Sequence, residues 1–255
     1  MSIKISIITV VLNNGATIED TICSIESQSY RNVEHIVIDG GSTDCTLEVI
    51  QRHQAKINHF ISEPDRGIFD AMNKGLRFAT GDVVTFLNAD DIYAGTDVLQ
   101  RVADAFADPS VDASYADLVY VDPRDLYKPV RYWKSREFIP GLFARGWVPA
   151  HPTFFARCAA YQQYGGYDES LGLAADFDLM MRLLERHRLK SVYIPHIAVK
   201  MCIGGVSNRS IHNIVRQNID IVRACRKNRV HVSPMFFLFK AISRLAQFFT
   251  RPPLV

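Results

Sequence analysis

Short apolar runs rich in β-branched residues alternate with helix-like stretches over roughly the first 120 residues. This alternation is typical of βαβ units, and it predicts a mostly parallel sheet. A first helix is expected to begin at a capping box formed by Thr17 and Asp20. Later helices should begin near Thr43, Gly67 and Thr96. The predicted strands are Lys4–Leu12, Val33–Ile38, His59–Ser62, Val83–Leu87 and Ser114–Val121.

The hydrophobic pattern loses its regularity in the middle of the chain. From Asp122 to Pro152 the sequence is rich in Pro, Arg, Lys and aromatic residues, and neither a strand period nor a helix period is sustained. We therefore expect a long irregular segment there, of the kind that often carries function. Helical periodicity returns at Ala174–His187 and Ile211–Lys227, and a short strand, Ser191–Ile194, is predicted between them.

The C-terminal segment Met235–Phe249 combines many aromatic residues with interspersed cations. This composition suits a helix that lies in a membrane interface, with Lys240 and Arg244 adding electrostatic attraction to an anionic surface. The alternative is a helix that packs on its own domain or on another subunit, and the pattern favours neither strongly.

Composition narrows the classes of protein that remain. The 255 residues carry 29 Lys and Arg against 27 Asp and Glu, so the net charge of +2 gives no reason to expect a nucleic-acid surface. Five cysteines without a CxxC pair indicate neither a disulfide framework nor a cysteine zinc site, which fits a reducing, cytoplasmic compartment. The apolar run Ile3–Leu12 lacks the features of a signal peptide, and no run approaches the roughly 20 apolar residues of a membrane-spanning helix.

Polar clusters follow four of the predicted strands. In an open α/β sheet, ligands bind at the carboxyl ends of the strands, so the four clusters predict one shared site. For any single cluster, an ordinary turn is an equally good interpretation, because Asp, Asn and Gly form turns readily. The clusters are Asn13–Asn14, Asp39–Asp44, Glu63–Gly67 and Asn88–Asp91.

Two of these clusters suggest particular chemistry. Asp39 precedes glycines that let a ligand approach the backbone, and its carboxylate could bond a base or a ribose; neither GxGxxG nor a phosphate-binding P-loop is present. Asn88, Asp90 and Asp91 offer oxygen ligands to a divalent cation, which would stabilise a diphosphate leaving group. The alternative for this cluster is an N-cap for the following helix.

Asp176 stands at the start of the predicted helix Ala174–His187 and is a candidate general base. A carboxylate beside an acceptor hydroxyl can take its proton as the new bond forms. Helix capping by Asp176 or Asp178 is the competing interpretation. His196 is a further candidate metal ligand, although a lone histidine after a strand is more often structural.

Five motifs in chain order, spread over about residues 4 to 188, together resemble family 2 inverting glycosyltransferases of the GT-A fold. The ordered set is far more specific than any one of its members. One position departs from the family's DxD motif, because Asn88 stands where the first Asp is expected. The five motifs are Ile7–Asn13 (IITVVLN), Ile38–Asp44 (IDGGSTD), Glu63–Gly75 (EPDRGIFDAMNKG), Leu87–Asp91 (LNADD) and Ala175–Asp178 (ADFD).

The resemblance implies a Rossmann-like α/β domain over residues 1–210, whose nucleotide-binding half is 1–121 and whose acceptor-side half is 122–210, followed by a helical extension over 211–255. It implies Asp176 as catalytic base, Asp90 as ligand of Mn²⁺ or Mg²⁺, and Trp147 or His151 on the acceptor side, although a core histidine is an equally good interpretation of His151. The nucleotide pocket that it implies consists of Val11, Asn13, Asp39, Asp65, Lys74, Asn88, Ala89 and Asp90.

The reaction that the resemblance implies is sugar transfer, with inversion, from a nucleotide-sugar to an acceptor hydroxyl. UDP is the default nucleotide, and a glycan or lipid-linked glycan is the expected acceptor, as in polysaccharide or glycolipid biosynthesis at the inner face of a membrane. A nucleotidyltransferase is disfavoured because no Gly-rich basic loop lies between Leu12 and Ile18, and a non-catalytic sugar-nucleotide-binding module is disfavoured because Asp90 and Asp176 are both present.

Overall fold

The computed structural model describes residues 2–203, 211–232, 235–250 and 252. The predicted α/β class is confirmed, since helices flank a single mixed sheet. Its strands are β1 (Ile5–Val11), β2 (Val33–Asp39), β3 (His59–Ser62), β4 (Val83–Phe86), β5 (Asp91–Tyr93), β6 (Ala113–Asp122), β7 (Asp125–Trp133), β8 (Phe155–Arg157) and β9 (Ser191–Cys202). The α-helices are α1 (Ile18–Glu26), α2 (Thr46–Arg52), α3 (Ile68–Phe78), α4 (Val98–Phe106), α5 (Cys158–Tyr164), α6 (Ala175–Met181), α7 (Ile211–Lys227) and α8 (Phe236–Phe249).

The sheet runs in the order β3-β2-β1-β4-β8-β6-β9-β5, and β7 pairs with β6. The part β3-β2-β1-β4 is parallel throughout, whereas β8 joins it to the rest through antiparallel pairs with β4 and β6. One sheet therefore extends through both predicted halves of the domain. The predicted boundary at residue 210 borders residues 204–210, which lie outside the described residues.

The core lies on both faces of β1, of which every residue is buried. Helix α3 covers one face and packs Met72 and Gly75 toward β1 and β2. A Cβ atom at Gly75 would collide with Ile8, so the glycine permits the close approach of helix and strand. Helix α4 packs Leu99 and its buried neighbours on the other side of the sheet. These layers hold the parallel strands in fixed register.

Several predictions about individual elements are wrong. The segment from Asp122 to Pro152 is not wholly irregular, because β7 runs antiparallel to β6 within it. The strand predicted to end at Ile194 continues to Cys202, across a register shift opposite Asp117. The predicted helix Ala174–His187 is confirmed in extent, although it consists of α6 followed by a π-helical turn, Arg182–Arg186.

Thr17 and Asp20 form no capping box. The Thr17 side chain makes no cap bond, and its hydroxyl donates instead to the carbonyl oxygen of Ala89 at 2.7 Å. The N-cap interpretation of the Asn88 cluster is also wrong, because β5 follows the cluster directly and α4 begins only at Val98. Helix α1 and the loop after β4 are thus joined by side-chain contacts.

Helix α8 packs on its own domain, against β7 and the short turn Phe143–Arg145. It is anchored by Phe236, which is fully buried and meets the Phe177 ring edge-on at a centroid distance of 6.3 Å. Lys240 and Arg244 are half-buried and lie off the exposed face, and their expected role at an anionic membrane stays a prediction. In the described part of the chain, no helix combines the length and the apolar character needed to span a bilayer.

Candidate active site

The ends of four parallel strands form one edge of the sheet. Val11 at the end of β1 is in register with Asp39 at the end of β2, and Asp39 is in register with Ser62 at the end of β3. On the other side of β1, Leu87 follows β4 and its N–H donates to the carbonyl oxygen of Ile8. The loops that begin with Asn13, Asp39, Glu63 and Asn88 therefore leave the sheet at the same edge.

Asp39 is fully buried at this edge. Its Oδ2 atom accepts hydrogen bonds from the Gly41 N–H at 3.1 Å, the Ser42 N–H at 3.0 Å and the Ser62 hydroxyl at 2.7 Å. Its Oδ1 atom is buried and has no hydrogen-bond partner in the described residues. A buried oxygen without a partner is costly unless a ligand supplies a donor. The carboxylate is thus held through one oxygen, while the other has no partner among the described residues.

Asn13 links the end of β1 to the loop after β2. Its N–H donates to the Ser42 hydroxyl at 2.7 Å, and its Oδ1 atom accepts the Thr43 N–H at 2.8 Å. It adopts a φ of +50°, a conformation in which Asn is tolerated better than most residues. Val11 reaches this loop through its carbonyl oxygen, which accepts the Gly40 N–H at 2.9 Å.

Asp65 comes from the loop after β3 and packs directly on Gly40, where a Cβ atom would collide with its Oδ2 atom. Its Oδ1 atom accepts the Gly67 N–H at 2.8 Å. Lys74 on α3 donates to the Pro64 carbonyl oxygen at 3.0 Å and pairs with Glu63 at 2.9 Å. The ammonium group of Lys74 is therefore bound to the loop that carries Asp65.

Thr17, just before α1, and Thr21, on α1, contact the segment that joins β4 to β5. The Thr17 hydroxyl bonds the Ala89 carbonyl oxygen, and the Thr21 hydroxyl donates to the Asp91 carbonyl oxygen at 2.9 Å. Burial, and then the charge of Asp90, raise the pKa of the Asp91 carboxyl well above its usual range. The loop therefore holds carboxyl groups close together in a water-poor setting.

Asp176 lies in the first turn of α6 and is about one quarter exposed. Its Oδ1 atom accepts the Phe177 N–H at 2.7 Å, and its Oδ2 atom lies 3.4 Å from Nδ1 of His151. Neither Asp176 nor Asp178 caps the helix, whose N-cap is Ala174. Asp178 is fully buried, accepts the Asn228 amide at 2.6 Å and pairs with Arg182, so of the two it is the structural carboxylate.

The remaining candidates separate into different surroundings. Trp147 packs within aromatic side chains, stacked on Phe138 and edge-on to Tyr115. The Nε2 atom of His196 lies 3.6 Å from the carboxylate of Asp97, just before α4, and burial followed by the charge of Arg101 lowers the pKa of His196. His196 therefore does not lie among the candidate metal ligands after β4.

A family model described as glycosyl transferase family 2 matches residues 6–164, which is more than half of the chain. The chain belongs to glycosyl transferase family 2. A PGL/p-HBAD biosynthesis glycosyltransferase of Mycobacterium bovis BCG is similar to this glycosyltransferase, with 32% identity over 208 residues, which cover 80% of this chain and 78% of the relative.

Two solved structures share the GT-A fold of this family 2 glycosyltransferase. Staphylococcus aureus TarS 1-349 in complex with UDP-GlcNAc has a TM-score of 0.70 and 18% identity, covering 96% of this chain and 71% of TarS. The mannosyltransferase PcManGT from Pyrobaculum calidifontis, in complex with GDP-Man and Mn²⁺, has a TM-score of 0.66 and 21% identity, covering 96% and 70%. At this identity the likeness concerns the fold.

The loop after β4 of the glycosyltransferase fits a divalent cation. The Asn88 Oδ1 atom and both carboxyl oxygens of Asp91 are buried and unbonded as far as the structure describes the chain. Such oxygens suit Mg²⁺ or Mn²⁺, which take one or two carboxylates beside substrate phosphates. Within residues 2–203, 211–232 and 235–250, no group of three or more His, Cys, Asp or Glu side chains is placed to hold a metal alone.

Two residues of the glycosyltransferase site, Ser62 and Tyr120, were missed by the sequence analysis. Ser62 orients Asp39 and could have been noticed as the polar end of a predicted strand. Tyr120, in contrast, belongs to an alternating strand pattern and is unremarkable there. Burial raises the pKa of the Tyr120 hydroxyl, and the neighbouring charges that also act on it are Arg131, Asp91, Arg244 and Asp176.

Proposed function

We propose that this glycosyltransferase moves a sugar from a nucleotide-sugar, with UDP as the nucleotide, to an acceptor hydroxyl, with inversion and with the help of a divalent metal. The relatives with solved structures bind UDP-GlcNAc or GDP-Man, which supports a nucleotide-sugar as donor. One observation carries the proposal. The edge where four parallel strands end gathers buried oxygens, on Asp39, Asn88 and Asp91, that no partner in the described residues satisfies.

These oxygens define two subsites for the donor, one for its base or ribose and one for its diphosphate. Asp39, positioned by Ser42 and Ser62, would accept a hydrogen bond from the base or ribose through its Oδ1 atom, and Asn13 and Asp65 would border the same pocket. Asp90 and Asp91 would hold Mn²⁺ or Mg²⁺, with Asn88 beside them. The bound metal would supply positive charge to the diphosphate of the leaving group.

Asp176 would act as the general base. The acceptor oxygen would form a bond to the anomeric carbon while the bond from that carbon to the donor phosphate breaks. The acceptor proton would pass to Asp176, and the nucleoside diphosphate would leave with the bonding electron pair, giving inversion in a single displacement. The Phe177 N–H and His151 contact different oxygens of Asp176 and would orient it toward the acceptor. Trp147 would line the acceptor side.

The acceptor in this proposal is a glycan or a lipid-linked glycan at the cytoplasmic face of a membrane. The exposed apolar side chains of α8 support membrane contact, because Leu245, Phe248 and Phe249 are each more than half exposed. The mycobacterial relative is named for PGL/p-HBAD biosynthesis, which is compatible with an acceptor of this kind.

Calorimetry with UDP, in Mn²⁺ and in EDTA, tests the proposal. We expect Mn²⁺ to tighten UDP binding in the wild type. Asp90→Ala should weaken it by about tenfold or more, since a hydrogen bond or contact to a charged group is worth ~1.5–3 kcal/mol. Glu48→Ala, which removes an exposed carboxylate on α2, is the matched control and should bind as the wild type does. Metal-dependent binding that is unchanged in Asp90→Ala would refute the assigned ligand.

A further inference from the structure

Helix α8 exposes its apolar face and packs its more polar face against the domain, whereas a helix that covers a core does the opposite. The residues turned toward the domain are Phe236, Lys240, Arg244 and Gln247, which recur at helical spacing and are the less exposed ones. The outward residues are more than one third exposed and mostly apolar. They are Phe237, Leu238, Phe239, Ile242, Leu245, Phe248 and Phe249. Apart from Phe236, the inner face of the helix therefore consists of polar residues, two of them cations.

A third cation meets them from β7. The Arg131 guanidinium lies over the Tyr120 ring at 3.9 Å and 5.6 Å from the centroid of Phe248 on α8. Its Nε atom is buried and has no hydrogen-bond partner in the part of the chain that the structure describes. Arg131, Lys240 and Arg244 are named the cation cluster below.

Among the described residues, no ion pair neutralises the charge of the cation cluster. None of its three members pairs with a carboxylate in the described ranges, and Lys240 donates to the neutral Asn218 amide oxygen at 3.0 Å. Burial, followed by the charge of Arg244, lowers the pKa of Lys240 to about 8, and burial lowers that of Arg131. Holding three cations together in a partly dry site is unfavourable unless an anion enters it.

The strand register separates the cation cluster from the loop after β4. Asp91 is opposite Met201 on β9, Met201 is opposite Tyr120 on β6, and Tyr120 is opposite Arg131 on β7. Three interstrand spacings put Arg131 about 14 Å from Asp91 along this row. Phe236, one turn before Lys240 on the inner face of α8, meets the ring of Phe177, the residue next to Asp176, at a centroid distance of 6.3 Å. The cation cluster therefore lies on the part of the protein that carries the candidate base, three strands away from Asp91.

We propose that Arg131, Lys240 and Arg244 bind a phosphate or diphosphate group carried by the acceptor. The inference rests on the proposed function, since it names the chemistry of the acceptor that Asp176 would activate. Arginine and lysine side chains recognise phosphate oxygens through charge-assisted hydrogen bonds. The apolar outer face of α8 borders the cluster, so a lipid attached to that phosphate has a surface to lie against.

Titration calorimetry with farnesyl diphosphate, in the presence of UDP and Mn²⁺, tests the inference. The wild type should bind this probe. Lys240→Gln and Arg244→Gln should each weaken binding by about 10–100-fold, because each removes one charge-assisted contact. Arg244→Lys, which keeps the charge, should retain most of the affinity. Lys128→Gln removes an exposed cation from the same strand as Arg131 and should have no effect.

The two possible sources of phosphate are separated by a UDP titration of the same variants. Unchanged UDP affinity in Lys240→Gln and Arg244→Gln assigns the cluster to the acceptor. A parallel loss of UDP affinity would assign it to the donor and overturn the inference, as would absent farnesyl diphosphate binding in the wild type or an equal loss in Lys128→Gln. If the wild type binds farnesyl diphosphate but not UDP, the proposed function is contradicted, whereas the anion site is confirmed. Melting temperatures near that of the wild type verify that the variants are folded.

Discussion

Asp39→Asn should separate nucleotide binding from folding at the donor pocket. The three hydrogen bonds to Oδ2 come from two backbone N–H groups and the Ser62 hydroxyl, and an amide oxygen can accept all of them. The amide nitrogen would then replace Oδ1, so a donor would stand where the unbonded acceptor was. We therefore expect an intact fold with a damaged contact to the base or ribose.

The expected size of the effect follows from the bonds involved. Losing a charge-assisted bond costs ~1.5–3 kcal/mol, which weakens UDP binding by about 10–150-fold. Asp39→Ala should lose this contact and also leave the three loop donors unpaired. At ~0.5–1.5 kcal/mol for each bond, it should lower the free energy of unfolding by roughly 2–4 kcal/mol, whereas the Asn variant should change it little.

The assay combines UDP calorimetry with a thermal melt of each variant. Asp44→Asn is the matched control, because Asp44 lies in the same loop and its oxygens are engaged with Thr46 and Gly15. It should bind UDP normally. Wild-type UDP affinity in Asp39→Asn would show that the nucleotide does not use Oδ1, and the reasoning from the unbonded oxygen would fail.

Three further predictions address the catalytic role of Asp176, the stability of the fold at acidic pH and the membrane contact of α8. Asp176→Asn should lower the single-turnover rate of transfer by about 10²–10⁴-fold with little change in UDP affinity, and a variant that keeps its rate would remove the base assignment. Bonds from Lys4, Ser6 and Thr80 outweigh burial and lower the pKa of Glu34 to about 2. This group therefore stabilises the fold above pH 4.5, and the stabilisation is lost as the pH falls from there toward 2. The difference in melting temperature between the wild type and Glu34→Gln should shrink over that interval, and a constant difference would contradict the assignment. Replacing Leu245 and Phe249 together by Ser should reduce flotation with phosphatidylglycerol vesicles, while Phe78→Ser, at an exposed site on α3, should not; equal flotation of all three proteins would argue against membrane contact.

The parallel half of the sheet could be predicted to within one residue at each strand end, because β1 and β4 are buried, mainly apolar runs and β2 and β3 are short runs bounded by turn residues. The clusters that follow these strands could be predicted to share an edge for the same reason. Their detailed bonding could not, since the contact of Thr17 with Ala89 joins residues 72 positions apart.

The second half was harder to predict for reasons visible in the strands. β7 is mostly exposed and contains Pro129, and its pairing with β6 shifts register near Val121, so no alternation survives in the sequence. β5 and β8 have three residues each, too few for a period. The orientation of α8 depends on Phe236 fitting beside Phe177, a tertiary contact that the composition of the helix does not reveal.

The pairing of β5 with β9 has a consequence for how this protein folds during its own translation. In the described sheet, β5 is hydrogen-bonded to β9 alone, and Asp91 faces Met201, which the ribosome adds about 110 residues later. At about 5–20 residues per second, the strand that begins at Asp91 waits roughly 6–20 seconds for its partner. A nascent chain would therefore complete its first parallel strands well before it can secure the loop that precedes β5. The loop that carries Asn88 and Asp90 would therefore be held in place only after the chain has been made as far as β9.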